Sequence, residues 1–139
     1  MKITLAYTDV PGFPGALKTL VNDLDLEVIA PDGTTYHGNQ FEDGESVPNA
    51  PGYDSINNVE AVHIFEPLPG EYIVRIHASN VPSDARADTG AVDQDFALVS
   101  SANILPPGQG IVFLDRPAYT APSVMKIKVI DTSLATNAT

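Results

Sequence analysis

The stretch that decides the reading runs from Asn22 to Tyr36, N-D-L-D-L-E-V-I-A-P-D-G-T-T-Y. Leu24, Leu26 and Val28 alternate with Asp23, Asp25 and Glu27. A period of two marks a half-buried β-strand, and it predicts the apolar set inward and the three carboxylates outward. Pro31-Asp32-Gly33 follows as a turn, because proline presets φ and glycine tolerates the positive φ that turns often need. Thr34, Thr35 and Tyr36 return to strand-favouring residues, so the segment reads as a hairpin. Carboxylates two residues apart on one strand face sit roughly 6.5–7 Å from each other and repel. A shared hard cation relieves that repulsion; so does water.

Outward from the hairpin, short strands and turns continue in both directions. Ile3, Leu5 and Tyr7 alternate with Lys2, Thr4 and Ala6 as a first strand, and Asp9 to Gly15 is a turn-rich loop. Leu17 to Val21 leads into the hairpin. Residues 38–57 hold three glycines, two prolines and four acidic groups with little periodicity, which predicts a long surface loop. Asn58 to Phe65 carries apolar residues on both faces and reads as a central strand. After the turn Pro67-Leu68-Pro69-Gly70, the alternation of Tyr72, Val74, Ile76 and Ala78 gives another strand. Val81 to Asp93 is a polar, acidic loop, and Gln94 to Ser101 a further strand around Phe96 and Leu98. No window has helical spacing. The class expected is all-β, an antiparallel sandwich.

A second unit is expected after Pro106-Pro107-Gly108. Ile111 to Leu114 and Met125 to Ile130 read there as two short strands. The division is 1–104 for the sandwich and 105–139 for a linker with a partial immunoglobulin-like β module or a strand-completing extension.

At 139 residues with 43% apolar content, the chain can bury the core of one domain. A net charge of -11 argues against nucleic acid and anionic membranes as partners and suits cation binding. With no cysteine there is no disulfide and no thiolate zinc site. No apolar run is long enough to cross a bilayer as a helix. Met1-Lys2-Ile3 enters directly into a strand pattern, so the chain reads as a fragment whose parent carried any targeting signal.

Five segments occur in a specific order: K-I-T-L-A-Y-T-D-V-P-G (2–12), L-V-N-D-L-D-L-E-V-I-A-P-D-G-T-T-Y-H-G-N (20–39), N-N-V-E-A-V-H-I (57–64), G-E-Y-I-V-R-I-H-A-S-N-V-P (70–82) and Q-D-F-A-L-V (94–99). This resembles the C-terminal jelly-roll domain of subtilisin-like serine proteases of the KP-43 type, and more distantly the P domain of proprotein convertases. The resemblance spans residues 2 to about 103. In that family the domain begins one or two strands earlier, and 109–139 lies outside it. The resemblance therefore implies an unpaired sheet edge. Either 109–131 folds back over that edge or two chains pair across it as a homodimer.

No segment matches the glycine-rich surroundings of a subtilisin serine, and there is no G-x-S-x-G. His37, His63 and His77 read as structural. For metal, Asp23 and Asp25 offer two carboxylates on one strand face, and Asp54-Ser55-Ile56-Asn57-Asn58 with Glu60 offers a second oxygen-rich group. Calcium takes six to eight such oxygens. The family binds structural calcium, so the resemblance implies a site among Asp23, Asp25, Asn57, Asn58 and Glu60, with Asp54 in a loop of variable length just before the motif. The bland alternative is a solvated acidic face. Tyr7, Phe13, Tyr36, Phe41 and Tyr53 could stack on a sugar, or simply pack in the core and against turns.

The resemblance implies a non-catalytic accessory domain of a secreted subtilisin-like protease, with the catalytic domain of the parent as partner. The alternative is a stand-alone adhesion or carbohydrate-binding sandwich.

Overall fold

The computed structural model of the protein describes residues 1–102 and the strand Ser123–Ile130. The strands are β1 (Lys2–Ala6), β2 (Asp23–Ile29), β3 (Thr35–His37), β4 (Phe41–Glu42), β5 (Glu45–Ser46), β6 (Val59–His63), β7 (Glu71–Asn80), β8 (Ala97–Ser100) and β9 (Ser123–Ile130). No helix among the described residues is long and apolar enough to cross a membrane.

Two sheets form, in the orders β6-β1-β8 and β3-β2-β7-β9, with β4-β5 as a separate hairpin. Among the described residues every pairing is antiparallel. The alternation in β1, β2, β6 and β7 sends one side-chain set between the sheets. Ile3 and Leu5 from β1, Val62 from β6, Leu24, Leu26 and Val28 from β2, and Tyr72, Val74 and Ile76 from β7 make one buried cluster. Each such side chain contributes about 1.5–3 kcal/mol on full burial. The result is the expected all-β sandwich.

The hairpin forms as read. Glu27 pairs with His37, Val28 with Tyr36 and Ile29 with Thr35. The Gly33 amide donates to the Ala30 carbonyl at 3.0 Å, and Gly33 takes φ 88°. Asp32 steadies the turn by accepting from the Thr34 amide at 2.9 Å.

Three expectations need correction. The carboxylates of β2 are not a solvent-facing row: Asp23, Asp25 and Glu27 are 6%, 2% and 8% exposed. As an interior strand, β2 has its polar face covered by side chains from β3 and β7 and from the loop before β6. Next, β6 is an edge strand rather than a central one. Its apolar outer side is left partly open, with Val59 49% exposed. Finally, the loop of 38–57 contains the short β4-β5 hairpin.

That hairpin region seals the outer rim of β6 with side chains. Asn39, at φ 61°, donates its amide to the Ala61 carbonyl at 2.9 Å and accepts the Ala61 amide on Oδ1 at 3.0 Å. Ser46 Oγ accepts from the His63 amide at 2.9 Å, and Glu45 accepts from the Phe65 amide at 3.2 Å. Asn49, at φ 54°, does the same for β3: its Oδ1 accepts the Thr35 amide at 3.1 Å and its amide donates to the Thr35 carbonyl at 2.7 Å. Asparagine tolerates the left-handed region better than most residues and carries both donor and acceptor.

Of the 105–139 segment, Ser123–Ile130 runs along β7 from Ala78 to Glu71. The expected strand at Ile111 to Leu114 lies outside the described residues.

Asn39→Gly keeps the backbone conformation accessible and removes only the side chain. Urea unfolding should show a loss of about 1–3 kcal/mol, and light scattering should show a greater tendency of the variant to self-associate.

Candidate functional site

Glu60 is 0% exposed, because the alternation of β6 sends it between the sheets beside Val62. The Gly38 amide still pairs with the Leu26 carbonyl at 2.8 Å, but at Asn39 the chain turns away to β6. The Leu26 amide is met by Glu60 Oε2 at 2.8 Å instead of by a strand carbonyl. Gly38 leaves the room this needs: a Cβ there would lie 2.0 Å from Glu60 Oε2. Glu60 Oε1 is buried without a hydrogen-bond partner. Burial pushes the Glu60 carboxyl up to about 8; the Leu26 amide opposes this, and the charges of Asp25, Asp54 and Asp23 add to it.

Asp25 and Asp23 lie on β2 close enough to Glu60 to raise it. The register between β2 and β7 slips between Asp23 and Leu24, so that Ser79 bulges out of the ladder. Its hydroxyl donates to Asp25 Oδ2. Bulges commonly re-aim a side chain in this way. Asp25 Oδ1 is buried and unpartnered. Burial raises the Asp25 carboxyl, Ser79 opposes, and the Asp23 charge adds. Asp23 Oδ2 meets Lys18 Nζ at 3.2 Å, while Asp23 Oδ1 is again buried with no partner.

The other half of the expected ligand set is arranged differently. Asp54 Oδ1 accepts the amides of Ile56 and Asn57 at 2.9 and 3.3 Å. Asp54 Oδ2 accepts from the side-chain amides of Asn39 and Asn57, both at 2.6 Å. Burial raises the Asp54 carboxyl, but the bonds from Asn39 and Asn57 outweigh it and hold it below its ordinary value. Asn58 donates its side-chain amide to the Tyr7 carbonyl at 2.8 Å. The six candidates thus split into a turn whose acid is satisfied and three buried acids with spare oxygens. Among the described residues, no three His, Cys, Asp or Glu side chains stand gathered round one point as a metal ion requires.

A second cluster, missed in the sequence, surrounds Glu27. Arg75 Nη1 lies 3.0 Å from Glu27 Oε2, His77 Nε2 3.4 Å from the same oxygen, and His37 Nε2 3.7 Å from Oε1. Tyr53 lies between the two imidazoles, at ring-centre distances of 4.4 and 5.2 Å. Burial pushes Glu27 up, but the bonds from His77 and Arg75 win and hold it below the ordinary carboxylate range. The hairpin register already set His37 opposite Glu27; Arg75 needed the long-range pairing of β2 with β7. Of the aromatic candidates, Tyr7 is 6% exposed and its hydroxyl is bonded to Asn22 and Leu24. It is not available to a sugar.

No protein-family model matches the chain. Over 85 residues it is 39% identical to a Dictyostelium discoideum protein named serine protease/ABC transporter B family protein tagA. The match takes in 57% of this chain and 5% of that protein, so the chain spans a small part of its relative's length. The name of that relative fits a protease-associated domain loosely.

Glu60 and Asp25 keep protons in the folded state that the unfolded chain releases. In metal-free buffer, stability should therefore fall as pH rises from about 4.5 through about 8 and then level off. A tenfold difference in proton affinity between the folded and unfolded chain corresponds to about 1.4 kcal/mol. Glu60→Gln keeps an acceptor for the Leu26 amide and should flatten most of that slope in urea unfolding measured across pH. Glu27 has the opposite sign: its contribution is present above the ordinary glutamate value and lost as pH falls below it.

Proposed function

We propose that the chain is a non-catalytic accessory domain, of jelly-roll type, in a secreted subtilisin-like serine protease. Its role is to stabilise the catalytic domain and to hold structural calcium. The observation that carries the reading is the 39% identity over 85 residues with a protein named serine protease/ABC transporter B family protein tagA, in a chain that folds as an all-β sandwich. A rigid sandwich docked on a catalytic domain restricts its local opening, and binding energy spent on the folded state raises stability by mass action.

Calcium is supported by chemistry rather than by a ready-made cage. Asp23, Asp25 and Glu60 would hold the ion through the oxygens that now have no partner. Buried carboxylates without partners are costly, and a divalent ion supplies the missing positive charge. These side chains must close on the ion, since they are not yet gathered round one point.

The function is tested on the parent protease with and without residues 1–139. Deletion should shorten the half-life of proteolytic activity on heating while leaving the initial rate unchanged. A parent reading frame with no subtilisin triad would refute the assignment; glycan binding by the chain would then favour an adhesion module. For calcium, melting of chelator-treated chain should rise by roughly 5–10 °C at about a hundredfold excess over Kd. Asp25→Asn should abolish the rise, and equal curves in calcium and EDTA would argue against a structural ion.

A further inference from the structure

We infer that residues 10–19 form a docking finger, which seats Phe13 and Leu17 in an apolar pocket of the parent's catalytic domain. The inference rests on the accessory-domain reading above and names the surface through which the two domains hold together.

The finger is braced from its base outward. Asp9 accepts the amides of Val10, Val21 and Asn22 at 2.8, 2.7 and 2.9 Å, and Leu20 is anchored in the core. A Cβ on Gly12 would lie 2.9 Å from the Thr19 carbonyl oxygen, so the two arms touch there and make a neck. Beyond the neck the Ala16 amide closes a turn on the Phe13 carbonyl at 3.1 Å, with Gly15 at φ 81°. Lys18 Nζ reaches back to Asp23 on β2 at 3.2 Å. Even so, every residue from Pro11 to Thr19 is exposed. The two large apolar side chains of the tip, Phe13 and Leu17, are 88% and 108% exposed. Apolar side chains held out in water gain by leaving it, and a loop already braced loses little freedom when it binds.

The surroundings of the finger select its partner. Asn80 pairs with Asp23 and Ala97 with Ala6, so the loop of residues 81–96 leaves the sandwich at the same end. It is tied to the finger's base: Asn22 Nδ2 donates to the Ser83 carbonyl at 2.8 Å, and Gln94 Nε2 to the Thr8 carbonyl at 3.0 Å. That loop sets Asp84, Asp88, Asp93 and Asp95 against Arg86 alone. Acids beside the tip repel an anionic lipid surface, and a chain of net charge -11 repels a second copy of itself. They are complemented by a protein pocket with an apolar floor and a basic rim. The tip projects, so it fills a concavity rather than offering one. The catalytic domain is the protein that the accessory reading puts beside it.

The test uses the parent protease in four forms: wild type, Phe13→Ser with Leu17→Ser, Phe65→Ser with Leu68→Ser, and deletion of residues 1–139. Phe65 and Leu68 are also exposed but lie in the β6–β7 connection at the opposite end. The half-life of proteolytic activity on heating should fall, in the finger pair, to within about twofold of the deletion form, because a few anchors dominate an interface. The Phe65 and Leu68 pair should stay within about twofold of wild type. The 139-residue chain carrying the finger pair should melt within about 3 °C of wild type, since these side chains support no core. With p-benzoylphenylalanine in place of Phe13, irradiation of the parent should cross-link this position to the catalytic domain. A finger pair as durable as wild type, when deletion shortens the half-life, would overturn the inference and leave the accessory reading standing. So would equal losses in both pairs, or cross-links only between copies of the chain. A deletion form as durable as wild type would overturn the reading and the inference together.

Discussion

The amide of Leu26 has to be answered, and the rest of the structure bends around how that happens. In the middle of an interior strand, an orphaned peptide N–H costs as much as a lost hydrogen bond. β3 is three residues long and ends just short of it. A carboxylate from the facing sheet fills the gap, and that choice propagates. Glu60 must sit between two hydrophobic layers, so its ionised form is disfavoured. Position 38 can hold no side chain. The chain leaves β3 at once, at Asn39, and runs to β6, where its first act is to pair with Ala61. One backbone donor thus links the two sheets, sets a glycine and places an acid in the core.

The chain handles its buried acids in two ways. Glu27 is fully answered within the protein, by a guanidinium, two imidazoles and a phenol, and its carboxyl is correspondingly acidic. Asp23, Asp25 and Glu60 receive one partner each and keep a spare oxygen. Similar carboxylates, three from β2 and one from β6, therefore meet opposite surroundings. The first group locks the loop carrying Tyr53 onto the sheet. In the second, burial makes Asp25 and Glu60 hold their protons more tightly than a free carboxyl does. Acids held protonated inside a sandwich make the stability of the domain respond to pH.

Much of the architecture could be read from alternation and turn chemistry. Leu24, Leu26 and Val28 pointed inward as their spacing required, and Pro31-Asp32-Gly33 turned where proline and glycine favour a turn. What period-two reasoning could not show was depth. It separates two faces of a strand but does not say whether the polar one meets water, and here Tyr53, His77 and Arg75 arrive from distant positions to cover it. Apolar residues on both faces of β6 suggested a central strand for the same reason: local pattern is silent about neighbours, and side chains of Asn39, Glu45 and Ser46 can stand in for an absent strand. The acidic candidates were legible by type, and their separation into a closed turn and an open-handed trio was not. That division depends on hydrogen bonds of Asn39 and Asn57 to Asp54, which no spacing rule foretells.

The side chains along the rims of β3 and β6 have a bearing beyond this fold. Each performs the office of another strand while occupying a single residue, so these two borders close without lengthening the sheet. A misfolded neighbour seeking a template finds its docking groups there already engaged. A module protected in this way can be crowded beside copies of itself, or strung in a long polypeptide, with less risk of these borders seeding fibrils.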